Sequence, residues 1–151
     1  MAEAPESCLT KAGYPQITRS EAETGGCINA ACRLTLADGQ TLFLKPNPQA
    51  SADMFAAEGS GLAALTERMA IRIQNVLHAN KHFILMEDLG AGARKRDYWR
   101  TLGAGLSNLH RQSAQLFGCS GDNYCGATPQ ANMPDSDGYQ FFAQKRSQSL
   151  S

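Results

Sequence analysis

Between Glu23 and Lys45 the chain reads ETGGCINAACRLTLADGQTLFLK. Two glycines, Gly25 and Gly26, precede a strand-like segment, and a lysine closes the strand that follows it. A strand that buries one face has no packing use for an ammonium group at its end. A phosphate site uses both features. Glycine lets backbone N–H groups approach an anion with no Cβ in the way, and Lys45 supplies a point charge.

Glu58 adds a third group. Positions 58, 62, 65 and 69 step by four, three and four, so Glu58 shares a helical stripe with Leu62, Leu65 and Met69. A carboxylate on a core-facing stripe costs several kcal/mol, roughly, unless a cation meets it there. Lys45, at the end of the preceding strand, is the natural partner. Taken alone, Glu58 fits equally well at a wet edge near the helix start, favoured by the helix dipole. Glycine loop, strand-borne lysine and a following helix with an inward glutamate, in that order, make up the phosphate-handling half of a kinase-type fold. In such a fold the strand running into the lobe linker, here LMEDLG with Glu87, Asp88, Leu89 and Gly90, offers backbone groups to an adenine edge. The competing reading is an ordinary edge strand entering a loop.

The elements that must position these groups are legible in outline. Cys32 to Lys45 reads as a β-hairpin about LADGQT. A three-residue loop with Gly39 in the left-handed region pairs Leu34 with Leu42 and Cys32 with Leu44. The period of two then sends Lys45 to the other face, beside Phe43 and across from Ala31. Pro46 and Pro48 make 45–53 a loop. Phe55, Leu62, Leu65 and Met69 predict a helix over about 53–69. Residues 70–77 and 82–89 read as two further strands, and GAGARKR as a glycine-rich basic hinge. Trp99, Leu102, Leu106 and Leu109 predict a helix over about 97–112. Residues 1–24 read as a short helix or an arm over the core, 117–138 as loop, and 139–151 as a last short helix.

The fold class expected is α+β: a kinase-like N-lobe of antiparallel sheet plus one helix with an inward Glu, then a hinge and the first helices of a C-lobe; that this C-lobe is truncated is implied by a family resemblance alone. The boundaries are 1–88 for the nucleotide-binding lobe and 89–151 for the hinge and incomplete helical lobe.

Totals agree with a folded chain of this kind. Of 151 residues, 42% are apolar and 19% charged, enough for a core. Lysine plus arginine equal aspartate plus glutamate at 14 each, so no basic excess points to nucleic acid or a membrane surface. The N-terminus has no apolar leader, no run reaches a membrane span, and a cytoplasmic protein is expected. Five cysteines without a C-x-x-C pair argue against a disulfide scaffold and a structural zinc site. Cys27 is a redox candidate, because N–H groups that attract phosphate also stabilise a thiolate. The alternative is an inert, buried loop thiol.

The sequence resembles the fructosamine kinases (ketosamine-3-kinases), relatives of the aminoglycoside phosphotransferases. The resemblance rests on GGCIN at 25–29, LFLKPN at 42–47, FAAEGSGLAAL at 55–65, AIRIQNVL at 70–77 and ILMEDLG at 84–90. It continues through LGAGLSNLHR at 102–111 and FGCSGDNYCGATPQAN at 117–132, the most specific string. It implies ATP-dependent phosphorylation of the sugar part of a glycated amine at the 3-hydroxyl, a deglycation step, with Mg2+ as the metal. By position it implies that Gly25, Gly26, Cys27, Ile28 and Asn29 cover the phosphates, Lys45 contacts them and Glu58 orients Lys45. Glu87 to Gly90 would hold adenine through backbone. His110, Asn123 and Tyr124 match family motifs without a derivable role, and His110 reads as a packed structural histidine.

Departures from the family pattern bear on activity. The family's catalytic H-G-D-L-W-S-G-N type loop and its magnesium-holding D-P-A motif lie later than residue 151, and no substitute stands in a credible place. No catalytic or metal residue is therefore expected among the 151, and the helix over 97–112 should leave apolar surface exposed. Gly138 stands where relatives usually carry tryptophan. Two alternatives remain: a non-catalytic nucleotide-binding or redox-regulated fragment, with a homodimer possible, and a related small-molecule phosphotransferase. The D-N-Y…T-P-Q string speaks against the second.

Overall fold

Proline and glycine punctuation sets most of the element boundaries. The computed structural model describes residues 4–23, 31–68, 71–90, 92–93 and 95–145. Among them run α1 (Pro5–Lys11), β1 (Ile17–Glu23), β2 (Ala31–Leu36), β3 (Thr41–Pro46), α2 (Met54–Arg68), β4 (Val76–Ala79) and β5 (Phe83–Glu87). Then follow α3 (Tyr98–His110), β6 (Asn123–Cys125), β7 (Thr128–Gln130) and α4 (Gly138–Lys145). The chain divides into two compact units, residues 1–63 with 73–93 and residues 64–72 with 94–151.

The first unit is built on a five-stranded sheet of order β1-β2-β3-β5-β4, antiparallel throughout. The β2–β3 hairpin has the expected register, Cys32 opposite Leu44 and Leu34 opposite Leu42. Its turn places Gly39 at φ +85°, a conformation that costs a residue with a Cβ far more than it costs glycine. Alternation then sorts the strands' side chains onto two faces. Leu34, Leu36, Leu42, Leu44, Phe83 and Leu85 pack with Cys8 and Leu9 of α1. Phe43, Val76, Ile84 and Met86 pack on the other face with Phe55 and Leu62 of α2. Phe55 is fully buried, worth about 2–3 kcal/mol of transfer free energy. Lys45 follows Phe43 by two and is registered with Ile84, so it lies on the α2 face.

Three expectations are corrected here. Residues 1–24 contain a strand, β1, as well as a helix. Its sequence, ITRSEAE, shows no apolar alternation because it is a sheet edge with its central residues exposed. What makes it a strand is pairing with β2, Glu21 opposite Arg33 and Glu23 opposite Ala31. The strand expected over 70–77 begins only at Val76, and Ile71 and Ile73 precede it. The stripe on α2 is buried only in part. Phe55 and Leu62 meet the sheet, whereas Leu65 is exposed, and Met69 lies outside the described residues.

In the second unit α3 carries its apolar residues largely in the open. Trp99 and Leu106 are exposed while Leu102 and Leu109 are half-buried, so the expected stripe is covered only in part. The helix meets the chain through Gly105, where a Cβ would fall 2.6 Å from Ile71 Cγ2. Residues 117–138, expected as loop, hold the β6–β7 hairpin and a bridge between Phe117 and Asp135. Three-residue strands carry too little pattern to be read from sequence. Asn132, 1% exposed, anchors this segment: its N–H donates to Asp122 Oδ1 at 2.7 Å and its C=O accepts from Cys119 N–H at 3.0 Å. Gly138 opens α4, and a Cβ there would lie 2.7 Å from the Phe117 ring.

Candidate functional site

Strand β3 and helix α2 bring Lys45 and Glu58 together. Lys45 Nζ donates to Glu58 Oε1 at 2.7 Å and to Oε2 at 2.9 Å, a fork that fixes the ammonium group. The two side chains are 28% and 29% exposed, half-buried and still open to a ligand. An ammonium has three donors, and the carboxylate takes two. Glu58 thus faces the sheet, and the wet-edge alternative does not hold. A phosphate oxygen is the acceptor that a held lysine of this kind suits best.

A second ion-paired cluster lies on the same face, toward the end of β5. Arg33, opposite Phe43 in the register, sends Nε to Asp88 Oδ2 at 2.6 Å and Nη1 to within 2.9 Å of Glu23 Oε1. The hydrogen bond that Arg33 donates to Asp88, and the charge of that carboxylate, raise the Arg33 pKa. The Asp88 side chain is only 6% exposed. Burial pushes its pKa up, but the Gly90 N–H, Arg33 and the Thr41 side chain together hold it below the ordinary carboxylate range.

Backbone groups of the linker are partly committed. Glu87 N–H donates to Asn75 O at 2.9 Å and Glu87 C=O accepts from Gln74 Nε2 at 3.1 Å. Gly90, at φ +67°, donates its N–H to Asp88 Oδ1 at 2.9 Å. Leu89, between them, is 42% exposed, and its backbone makes no hydrogen bond among the described residues.

Of the residues singled out from sequence, Lys45, Glu58, Glu87, Asp88, Leu89 and Gly90 are therefore on one unit, with Lys45 and Glu58 in contact. Gly25, Gly26, Cys27, Ile28 and Asn29 lie outside the described residues, as does the redox reading of Cys27. His110, expected to be packed, is exposed in the last turn of α3. Sequence reasoning missed Arg33. The signal was present: the hairpin register puts an arginine opposite Phe43, on the lysine's face of the sheet.

Comparison with known proteins decides the family. The sequence profile described as fructosamine kinase matches residues 1–150. The chain belongs to the fructosamine kinase family. Among relatives of this fructosamine kinase family chain, the chloroplastic protein-ribulosamine 3-kinase of Arabidopsis thaliana is 34% identical over 148 residues, covering 93% of this chain and 45% of its own length. A candidate ketoamine kinase of Synechocystis sp. is 37% identical over 142 residues, covering 89% of this chain and 47% of its own. The solved structure of a candidate fructosamine-3-kinase from Thermobifida fusca superposes with a TM-score of 0.80 at 25% identity, over 97% of this chain and 52% of that one. One from Haemophilus somnus gives 0.79 at 26% identity, over 92% and 49%. The chain spans about half the length of the curated relatives it matches. The sheet with α2 is the kinase-like N-lobe arrangement of these fructosamine kinase neighbours.

Among the described residues there is no group of three His, Cys, Asp or Glu that could hold a metal ion. Nor is any helix of the described residues long and apolar enough to cross a membrane.

Proposed function

We propose that this chain supplies the nucleotide-holding part of an ATP-dependent ketosamine 3-kinase, which phosphorylates the sugar moiety of a glycated amine. The observation that carries the reading is the two-pronged Lys45–Glu58 pair on the α2 face of the sheet. Asp88 follows the partner of Leu42, so the linker end of that face and Lys45 lie four residues apart along β3. At about 3.4 Å per residue that is ~14 Å, a separation suited to a nucleotide with its base at one end and its phosphates at the other.

In this reading Leu89, with Glu87, Asp88 and Gly90 around it, takes the adenine edge through backbone, and Lys45 takes phosphate oxygens. Residues 25–29 would cover the phosphates, with Glu58 keeping Lys45 extended. ATP supplies the phosphoryl group. Phosphoryl transfer is positioning and charge stabilisation, and Lys45 held by Glu58 would supply both at the phosphates. Residues 1–88 act as the nucleotide lobe and 89–151 as hinge and helical part. The cysteines fit a reducing, cytoplasmic setting, the four described ones being thiols.

Calorimetric titration of the 151-residue chain with ATP and with adenosine tests the reading. Both should bind, ATP more tightly, and Lys45→Met should remove the advantage of ATP while leaving adenosine unchanged. Equal binding of ATP by Lys45→Met and the parent chain would overturn it. Incubation with ATP, Mg2+ and a ribulosamine or fructosamine, followed by phosphorus NMR, should show no sugar phosphate from the 151 residues alone.

A further inference from the structure

Arg33 uses its charge differently from Lys45. Lys45 meets one carboxylate, whereas Arg33 meets two, Glu23 at the end of β1 and Asp88 just beyond β5. One cation between two anions leaves the cluster net negative, which repels a phosphate. Arg33 is therefore a poor phosphate ligand despite lying on the phosphate face.

Its geometry fits another task. Asp88 is nearly dry and uses both oxygens, Oδ2 on Arg33 and Oδ1 on the Gly90 N–H. A carboxylate removed from water keeps its charge and its rotamer only while such partners stay in place. Gly90 sits in the left-handed region at φ +67°, and the bond from its N–H to Asp88 closes a tight turn over Leu89. Leu89 is flanked on both sides by anchored neighbours, and its own N–H and C=O carry no bond among the described residues.

We infer that Arg33 is a positioning residue for base recognition, fixing Asp88 and through it the turn that presents the Leu89 backbone to the edge of an adenine. The inference rests on the nucleotide-binding reading above and deepens it. An adenine offers a ring nitrogen and an exocyclic amine along one edge, which match one N–H and one C=O. Hypoxanthine presents a carbonyl in place of that amine and an N–H in place of the ring nitrogen's lone pair, so a rigid linker discriminates between the two bases. A loosened linker does so less.

The experiment measures Kd for adenosine, inosine and ATP on the 151-residue chain and its variants. The parent chain should prefer adenosine to inosine by about tenfold or more, the size expected when hydrogen-bonding groups along the edge are left unpaired. Arg33→Ala should bring that ratio close to one, and Asp88→Ala should do the same, with the double variant no worse than either. Lys45→Met should leave the base ratio intact and lose only the advantage of ATP. A general loss of stability lowers all affinities together, so an unchanged adenosine-to-inosine ratio in folded Arg33→Ala overturns the proposal. Loss confined to ATP would also overturn it, showing Arg33 to be a phosphate ligand. Should Arg33→Ala not fold, Arg33→Lys decides: its single ammonium keeps the charge but cannot span both carboxylates, and the ratio must still fall. Failure of the parent chain to bind either nucleoside or ATP would instead refute the nucleotide reading itself.

Discussion

Lys45 Nζ stands 2.7 and 2.9 Å from the two carboxylate oxygens of Glu58, joining the end of β3 to the second turn of α2. Both side chains are more than a quarter exposed, so the pair adds little to stability, about 1 kcal/mol or less. Its consequence is positional. Glu58→Gln should lower the urea midpoint only slightly, yet weaken ATP binding about tenfold, since hydrogen bonds with charged groups contribute roughly 1.5–3 kcal/mol. Calorimetry with ATP and adenosine in parallel checks this; a parallel fall in both affinities would count against it.

The buried carboxylate of Asp88 gives stability a pH dependence whose sign is fixed. Its folded pKa is lowered: burial raises it, but the Gly90 N–H, Arg33 and Thr41 outweigh that effect. The unfolded chain therefore binds the proton more readily, and the carboxylate's stabilisation is complete above the unfolded pKa. It is lost as pH falls through the lowered folded value. The charges near Arg33 on neighbouring strands, Glu23 and Glu21, act through the arginine. Urea melts from neutral to acid pH should show a decline that Asp88→Asn flattens, that variant being less stable at neutral pH. An unchanged slope would contradict the assignment.

Phe55 tests where the first unit keeps its core. It is fully buried against Ile84 and Met86. Phe55→Ala should cost about 3–5 kcal/mol, enough to unfold a marginal lobe. Circular dichroism melting reads the loss directly, and a cost below about 1 kcal/mol would show that α2 does not depend on this contact.

Gly118 is the corresponding test in the second unit. It has φ +111°, and a Cβ there would fall 2.6 Å from the Asn132 carbonyl oxygen. That carbonyl is backbone, already taken by the Cys119 N–H, and has little freedom to move. Gly118→Ala should destabilise this segment by more than about 1 kcal/mol, through both strain and contact. Hydrogen exchange at Phe117 and Asp135, whose N–H groups bond across the bridge, should accelerate; unaltered exchange would refute the claim.

The hairpin and its lysine were determined by the sequence itself. Asp38-Gly39 sets a tight turn, and the alternation of Leu34, Leu36, Leu42 and Leu44 leaves one register that buries apolar against apolar. Lys45 and Arg33 then fall on the α2 face by period alone, and the four-three-four spacing puts Glu58 on one helical stripe with Leu62. These are local rules, and local rules survive without knowledge of distant partners. Only tertiary structure decided the rest. β1 is a strand because β2 offers it unpaired backbone groups, not because ITRSEAE favours one. Leu65, Trp99 and Leu106 show helical spacing on α2 and α3, yet stay exposed, because amphipathic spacing names a face and cannot supply what covers it. The link between Arg33 and Asp88 spans 55 residues of chain, a distance over which only the folded sheet brings opposite charges together.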